Sequence, residues 1–107
     1  MSLDMTLVNQ AEQRGYLIFN EDHTKVTYRC GRIYSDDYTN PEEKVRAAIY
    51  GWLIIEKGYP ANRIEVEVPV PRRTPGDRAN IVVFFDDARD DPYLVVEVAA
   101  NSVSTTE

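Results

Sequence analysis

Two apolar runs joined by an acidic loop constrain the fold of this chain more than any other feature. Residues 81–85 read IVVFF, residues 93–98 read YLVVEV, and the segment between them includes DDARDDP. Near-continuous apolar runs of this length are typical of strands that are covered on both faces. Asp and Pro favour turns, so the sequence predicts a hairpin of two central strands.

Further strands are predicted on the N-terminal side of this hairpin. Residues 63–70 read RIEVEVPV, and strict alternation of apolar and polar side chains places one face of a strand against the core. Residues 15–40 contain short Tyr, Val and Ile runs broken by Asn-Glu-Asp and Cys-Gly. This second pattern predicts two or three short strands with turns.

The segment from Asn40 to Gly58 carries the start and stop signals of a helix. Asn40 is an N-cap residue, Pro41 occupies the first helical position, and the acids that follow complement the helix dipole. Lys57 and Gly58 supply a basic last turn and a C-cap glycine. The stripe predicted to face the core comprises Val45, Ala48, Ile49, Trp52, Leu53 and Glu56.

Length and element order predict one domain over residues 1–107, with a small, polar tail at 100–107 that frays. Short strands, one main helix and three strands indicate an α/β domain of the α+β kind, with a mixed or antiparallel sheet packed against the helix. No apolar run reaches the ~20 residues that cross a bilayer, and the N-terminus lacks a secretory pattern. We therefore expect a cytoplasmic protein with no membrane partner.

The net charge of −6 argues against a chain that holds DNA by its own electrostatics, because phosphate binding needs clustered Lys and Arg. The only basic cluster is Arg72, Arg73 and Arg78. These three arginines either contact phosphates at the mouth of a site or face solvent as solubility charges, and the sequence leaves both interpretations open.

Three polar side chains are predicted to converge on one pocket. Glu97 ends an apolar strand, where a carboxylate is costly to bury unless it is paired or binds a metal. Asn80 opens the preceding strand, and Glu42 falls on the inward stripe of the helix, where Glu43 points away. Mg²⁺ prefers oxygen ligands and keeps several waters, so these side chains suit a magnesium ion.

Four segments, in this order and spacing, resemble a known family: NPEEKVRAAIYGWLIIEKGYP, IEVEVPV, GDRANIVVF and PYLVVEVAA. They are similar to the N-terminal nuclease domain of type I restriction enzyme R (HsdR) subunits, in the PD-(D/E)xK restriction-endonuclease-like superfamily. The resemblance covers residues 28–99. It implies a restriction-endonuclease-like fold, Mg²⁺-dependent DNA cleavage, and a larger restriction complex with motor and specificity or methylation subunits.

Carried over by position, the resemblance implies that the helix acid is Glu42, with Glu43 as the alternative. The metal-binding aspartate of the family's Arg-Ala-Asp-Ile-Val motif falls on Asn80. The Glu-x-Lys pair falls on Glu97 and Ala99. The implied catalytic positions are Glu42, Asn80, Glu97 and Ala99, and the implied metal ligands are Glu42, Asn80, Glu97 and Val98.

Two of these positions depart from the family pattern. Asn80 keeps the shape of aspartate but lacks its charge, and fewer charged ligands weaken divalent-ion affinity. Ala99 replaces the lysine that, in the family mechanism, helps to position or activate the water that attacks phosphorus. We therefore expect weakened magnesium binding and impaired cleavage, whether the two changes are natural or engineered.

Three functions follow as hypotheses. The chain is a DNA endonuclease module, a non-catalytic nuclease-fold scaffold, or a protein-interaction module that uses an exposed sheet edge. Asn80 and Ala99 favour the second hypothesis, a non-catalytic nuclease-fold scaffold. Motor activity is excluded for these 107 residues because they contain no Gly-x-x-x-x-Gly-Lys-Ser/Thr loop.

Overall fold

The computed structural model describes residues 5–68 and 78–99, in which two three-stranded antiparallel sheets accompany one main helix. This arrangement confirms the predicted α+β class. None of the described helices is long and apolar enough to span a membrane. The helices are α1 (Met5–Gln13) and α2 (Pro41–Gly51), and the strands are β1 (Leu17–Phe19), β2 (Lys25–Tyr28), β3 (Tyr34–Asp37), β4 (Ile64–Val66), β5 (Arg78–Phe84) and β6 (Pro92–Ala99).

The first sheet is a meander with the order β1-β2-β3, which confirms the strands predicted in residues 15–40. Its register sets Thr27 opposite Ser35, and their hydroxyl oxygens lie 2.7 Å apart. Val26 and Tyr28 point from the middle strand into the core and are fully buried. This sheet therefore supplies one wall of the core and one polar pair on its outer face.

The second sheet has the order β4-β5-β6, so the predicted hairpin of β5 and β6 is confirmed. β5 is central and buries Ile81 through Phe84 without a break. β6 lies at the edge of the described sheet, and its Tyr93 and Val95 are 53% and 45% exposed. The prediction that both apolar runs are covered on both faces is thus right for β5 and wrong for β6.

β4 is shorter than the strand predicted over residues 63–70. It ends at Val66 because Glu67 adopts a left-handed backbone with φ of 56°, a conformation that breaks the alternation of side chains. Ile64 and Val66 are fully buried, as predicted. Residues 69 and 70 of the predicted strand lie outside the described residues.

α2 begins as predicted, and the helical segment that it starts ends as predicted at Gly58. The side chain of Asn40 caps the first turn, and Pro41 follows it. A π-helical turn, Trp52–Glu56, continues α2. Gly58 then takes a φ of 75°, and the Tyr59 N–H donates to the Leu53 carbonyl at 3.1 Å, which is the role expected of a C-cap glycine.

The buried face of α2 is rotated by about one position from the predicted stripe. Ala48 and Leu53 are buried as predicted, whereas Trp52 is 42% exposed. The rotation buries the charged pair Glu43 and Arg46 together with the small residues Ala47 and Gly51. A pattern of apolar residues does not predict that a charged pair is buried. The buried residues of α2 are Glu43, Arg46, Ala47, Ala48, Tyr50 and Gly51.

α1 was not predicted, and it packs against α2 at a position without a side chain. A Cβ added to Gly51 would lie 2.9 Å from the carbonyl oxygen of Leu7. Leu7, Val8 and Ala11 are buried along one face of α1. Gly51 therefore permits the close approach of the two helices.

We expect Gly51→Ala to lower the melting temperature by several degrees. Alanine gains up to ~1 kcal/mol in helix propensity, but overpacking against a fixed backbone costs roughly 1–3 kcal/mol. Gly58→Ala is the control, because its added Cβ meets no atom within 4 Å and tests only the positive φ. A Gly51→Ala variant that melts higher than the parent chain would show that the helices do not approach closely.

Candidate functional site

The first turn of α2 holds two adjacent glutamates with different surroundings. The side chain of Asn40 accepts a hydrogen bond from the Glu42 N–H at 3.2 Å, which fixes the start of the helix. Glu43 then points into the interior and is 3% exposed, whereas Glu42 is only half-buried. The predicted orientation is therefore wrong, and Glu43, the alternative acid, is the inward one.

Hydrogen bonds to both carboxylate oxygens explain why Glu43 is the acid that can be buried. The hydroxyl of Tyr28 donates to Oε2 of Glu43. Arg46 donates from Nε to Oε2 at 3.0 Å and from Nη2 to Oε1 at 2.8 Å. A two-pronged guanidinium contact of this kind is among the strongest side-chain pairs, and it gives the buried carboxylate a cation within its own helix.

Arg46 also joins both sheets through acids outside its own helix. Its Nη1 donates to Oε2 of Glu67, and to the carbonyl oxygen of Asn80 at 3.3 Å. Its Nη2 lies 3.5 Å from Oδ2 of Asp36 on β3. We refer to Arg46 with Tyr28, Asp36, Glu43 and Glu67 as the Arg46 cluster.

Burial and hydrogen bonding oppose each other in the electrostatics of the Arg46 cluster. Burial raises the pKa of Glu43, against the opposing effect of its hydrogen bonds from Arg46 and Tyr28. Burial alone would lower the pKa of Arg46, but the hydrogen bonds and charge of Glu43 outweigh it, so the pKa is raised and the guanidinium stays charged. Burial, together with the charge of Glu43, also raises the pKa of Tyr28. Tyr28 is therefore a hydrogen-bond donor throughout the neutral range.

Glu67 reaches the cluster because of its left-handed backbone. Its N–H donates to the Asn80 carbonyl at 3.1 Å, and its Oε2 accepts the Asn80 N–H at 3.3 Å. A non-glycine residue at positive φ is strained by roughly 1–3 kcal/mol and persists only where its surroundings hold it. The ion pair with Arg46 and the contacts with β5 hold it here.

The side chain of Asn80 is hydrogen-bonded to the main chain beyond β4. Its Oδ1 accepts from the Val68 N–H at 2.7 Å, and its Nδ2 donates to the Val68 carbonyl at 2.8 Å. We refer to these two bonds as the Asn80 clamp. They attach residue 68 to β5 after β4 has ended.

The register of β5 and β6 brings two of the three predicted site residues together. Asn80 lies directly opposite Glu97, and opposed residues of an antiparallel pair point to the same face. Ile81 and Val83 point to the other face and belong to the core that includes residues of α2. Asn80 and Glu97 therefore share the sheet face opposite α2, while Glu42 lies on α2 itself. A joint role for the three residues stays a prediction.

The remaining predicted positions are only partly described. Val98 is 6% exposed, and Ala99 lies opposite Arg78 in the sheet register. The side chains of Ala99 and Arg78 lie outside the described part, as do Arg72 and Arg73 entirely. The nucleic-acid contact by the three arginines therefore stays a prediction.

The described side chains do not fit the magnesium ion that the resemblance implies. Both oxygens of Glu43 accept from Arg46, and Oδ1 of Asn80 accepts from Val68. Oε2 of Glu42 is buried with no hydrogen-bond partner. However, the described residues contain no group of three or more acids, histidines or cysteines that could hold a metal ion. The cation that pairs with Asp36, Glu43 and Glu67 is the Arg46 guanidinium.

Most of the Arg46 cluster was not predicted from the sequence. The Glu43-x-x-Arg46 spacing was a usable signal, because residues three apart on a helix are neighbours and pair when oppositely charged. Asp36 and Glu67 join from other elements, and local spacing does not predict them.

We expect Arg46→Met to lower the free energy of unfolding by roughly 3–5 kcal/mol, because it leaves a buried carboxylate without its cation. Chemical denaturation measures this loss. The variant Arg46→Met with Glu43→Gln should be less destabilised than the sum of the single variants, since the two groups interact directly.

Arg63→Met is the control for this cycle, because it removes an exposed ion pair with Asp87 at 2.8 Å. Exposed pairs contribute little to stability. Additive losses within the cycle, or a loss for Arg46→Met no larger than that for Arg63→Met, would contradict the inferred role of Arg46.

Tyr28 and Tyr50 form a matched pair for testing the cluster. Both are fully buried, and their rings meet edge to face with centroids 5.1 Å apart. The Tyr50 hydroxyl has no hydrogen-bond partner in the described structure. We expect Tyr28→Phe to reduce the free energy of unfolding by roughly 1–3 kcal/mol, and Tyr50→Phe to leave it unchanged or raise it. Equal losses in denaturation would show that the Glu43 contact is not what stabilises Tyr28.

Comparison with known proteins identifies related sequences over the C-terminal part of the chain. Residues 41–107 match the family described as type I restriction enzyme R protein N terminus. The match begins at the first residue of α2, includes the β5–β6 hairpin and covers more than half of the chain. No curated protein and no solved structure is significantly similar to the chain.

Proposed function

The chain belongs to the family of type I restriction enzyme R protein N-terminal regions, and from this membership we propose that it is a nuclease-fold module that does not itself cleave DNA. In this proposal its ancestral activity is Mg²⁺-dependent DNA cleavage, as the sequence resemblance implies. Its present role is that of a scaffold within a larger restriction complex, where other subunits bring the DNA.

The Asn80 clamp is the observation that carries this proposal. Asn80 both donates to and accepts from the backbone of Val68. An ionised aspartate accepts hydrogen bonds but donates none, so it would set a carboxylate oxygen against the Val68 carbonyl. Asparagine at position 80 can therefore make both hydrogen bonds to the Val68 backbone, whereas the metal-binding aspartate of the family could make only one of them.

Three further features support the loss of cleavage. Ala99 has no amine at the position of the family lysine, so it cannot position or activate a water molecule. Both carboxylate oxygens of Glu43 already accept hydrogen bonds from the Arg46 guanidinium, so Glu43 is not available as a ligand for a divalent ion. The net charge of −6 also gives the isolated chain little affinity for DNA phosphates.

Incubation of the purified chain with supercoiled plasmid and either Mg²⁺ or Mn²⁺ tests the proposal. We expect no nicked or linear product above a control without the protein. Reproducible cleavage by a nuclease-free preparation would overturn the proposed loss of activity.

The double variant Asn80→Asp with Ala99→Lys tests the assignment of the site. We expect titration calorimetry to detect Mg²⁺ or Mn²⁺ binding that the parent chain lacks, because one charged ligand is restored. Asn80→Ala with Ala99→Lys is the matched control, since it also removes the clamp but adds no carboxylate. Circular dichroism checks that each variant is folded. If a folded double variant binds no more metal than this control, Asn80 is not the family's metal position.

A further inference from the structure

Three aromatic rings adjoin one another at the end of the second sheet where β5 turns into β6. The rings of Phe85 and Tyr93 meet edge to face with centroids 4.8 Å apart, and the ring of Tyr59 lies 6.1 Å from that of Tyr93. Phe85 is 56% exposed and Tyr93 is 53% exposed. We refer to the three rings as the aromatic patch. Adjoining apolar side chains in solvent, unlike single ones, mark a contact surface.

The hairpin loop beside the aromatic patch is acidic. Residues 86–91 contain four aspartates and one arginine. The Phe85 N–H donates to the Asp91 carbonyl at 2.9 Å, so Asp91 lies across the hairpin from Phe85. Asp87 pairs with Arg63, whereas Asp90 and Asp91 are exposed and form no ion pair with any described residue. Two carboxylates without a cation therefore adjoin the aromatic patch.

The loop is held more firmly than a solvated turn requires. Arg89 adopts a left-handed backbone with φ of 58°, and its side chain donates to Oε2 of Glu65 at 2.6 Å and to the Asn62 carbonyl at 3.1 Å. It packs against Gly31, where an added Cβ would lie 2.8 Å from Cδ of Arg89. Strained backbone persists only where its surroundings hold it. A loop anchored in this way presents its groups to a partner at little ordering cost.

A cation covers another exposed aromatic ring of this chain but not the aromatic patch. The ammonium of Lys57 lies 5.2 Å from the centroid of the exposed Trp52 ring. No lysine or arginine in the described part of the chain lies over a ring of the patch. The face of an aromatic ring attracts a cation, so the patch offers this contact to a cation from outside the chain.

We propose that the aromatic patch, with the carboxylates of Asp90 and Asp91, binds an arginine side chain in a basic segment of a partner protein. A guanidinium is planar, so it stacks on an aromatic ring while its N–H groups donate to nearby carboxylates. Lysine carries a compact, strongly hydrated charge and makes this combined contact less well. The inference does not depend on the proposed loss of cleavage.

Charge favours a basic protein segment over the other occupants of an aromatic surface. Nucleic-acid bases stack on aromatic rings, but the net charge of −6 repels their phosphates. A second copy of the chain would bring the same net charge and the same aspartates. A basic segment is attracted both by the loop and by the chain as a whole, and we expect this attraction to weaken as salt screens it.

Titration of the isotope-labelled full chain with short peptides, followed by NMR, tests the proposal. The probes are capped Gly-Ser peptides of equal length that carry two arginines, two lysines or two citrullines, citrulline being a neutral counterpart of arginine. At low ionic strength we expect the arginine peptide to shift the amide signals of Phe85, Asp90, Asp91 and Tyr93. The lysine peptide should bind about threefold more weakly, and the citrulline peptide roughly tenfold more weakly or less tightly still.

Matched variants separate the local contact from the net charge. Asp90→Asn with Asp91→Asn should weaken binding of the arginine peptide roughly fivefold. Glu12→Gln with Glu21→Gln removes the same charge at exposed positions outside the hairpin and should change the affinity less than about twofold. Phe85→Leu keeps an apolar side chain without the ring face, and it should weaken binding about threefold. Circular dichroism checks that each variant is folded.

Several results would overturn the proposal. Absence of binding by the arginine peptide, or shifts confined to other parts of the chain, would exclude the site. Equal losses in the two charge-neutralised variants would indicate attraction to the net charge alone. Equal affinity for the citrulline peptide would indicate an apolar site without a role for charge. Shifts of the hairpin signals when the chain alone is concentrated would indicate a second copy as the occupant.

Discussion

The buried guanidinium of Arg46 is the group on which the rest of the structure depends. A charge removed from water is tolerated only where partners surround it. Here the partners are the Tyr28 ring on β2, over which the guanidinium lies, and polar groups from β3, α2, the residue after β4, and β5. Satisfying this one cation therefore fixes how the helix is rotated, where β4 ends and how the two sheets meet. The apolar core fills the space that this arrangement leaves.

The parts of the fold that the sequence predicted are those set by local chemistry. Asn40, Pro41 and Gly58 mark the ends of the helix because each acts on the backbone nearest to it. The hairpin was predictable because two apolar runs flank a turn-forming loop. The rotation of α2 was not predictable in this way, since it depends on acids that arrive from other elements. The helix α1 was missed because its buried residues are few and lie among polar ones.

The candidate site was predicted in part and for the same reason. Strand register alone brings Asn80 opposite Glu97, and alternation within each strand was enough to anticipate it. The choice between Glu42 and Glu43 required knowledge of Arg46 and Tyr28, which lie on different elements. The alternation of residues 63–70 puts Glu67 on the polar face of the predicted strand, but its positive φ turns the carboxylate towards Arg46 on the helix.

A fold does not determine an activity, because chemistry resides in particular side chains placed on it. In the Arg46 cluster and the Asn80 clamp, polar groups are matched to one another, and such groups stabilise a fold rather than await a ligand. This matching is a property of the two networks and not of the whole interior. In the described part of the chain, the hydroxyls of Tyr38 and Tyr50 and Oε2 of Glu42 are buried without a hydrogen-bond partner. The networks around Arg46 and Asn80 are therefore where polar groups contribute most to holding the elements of the fold together.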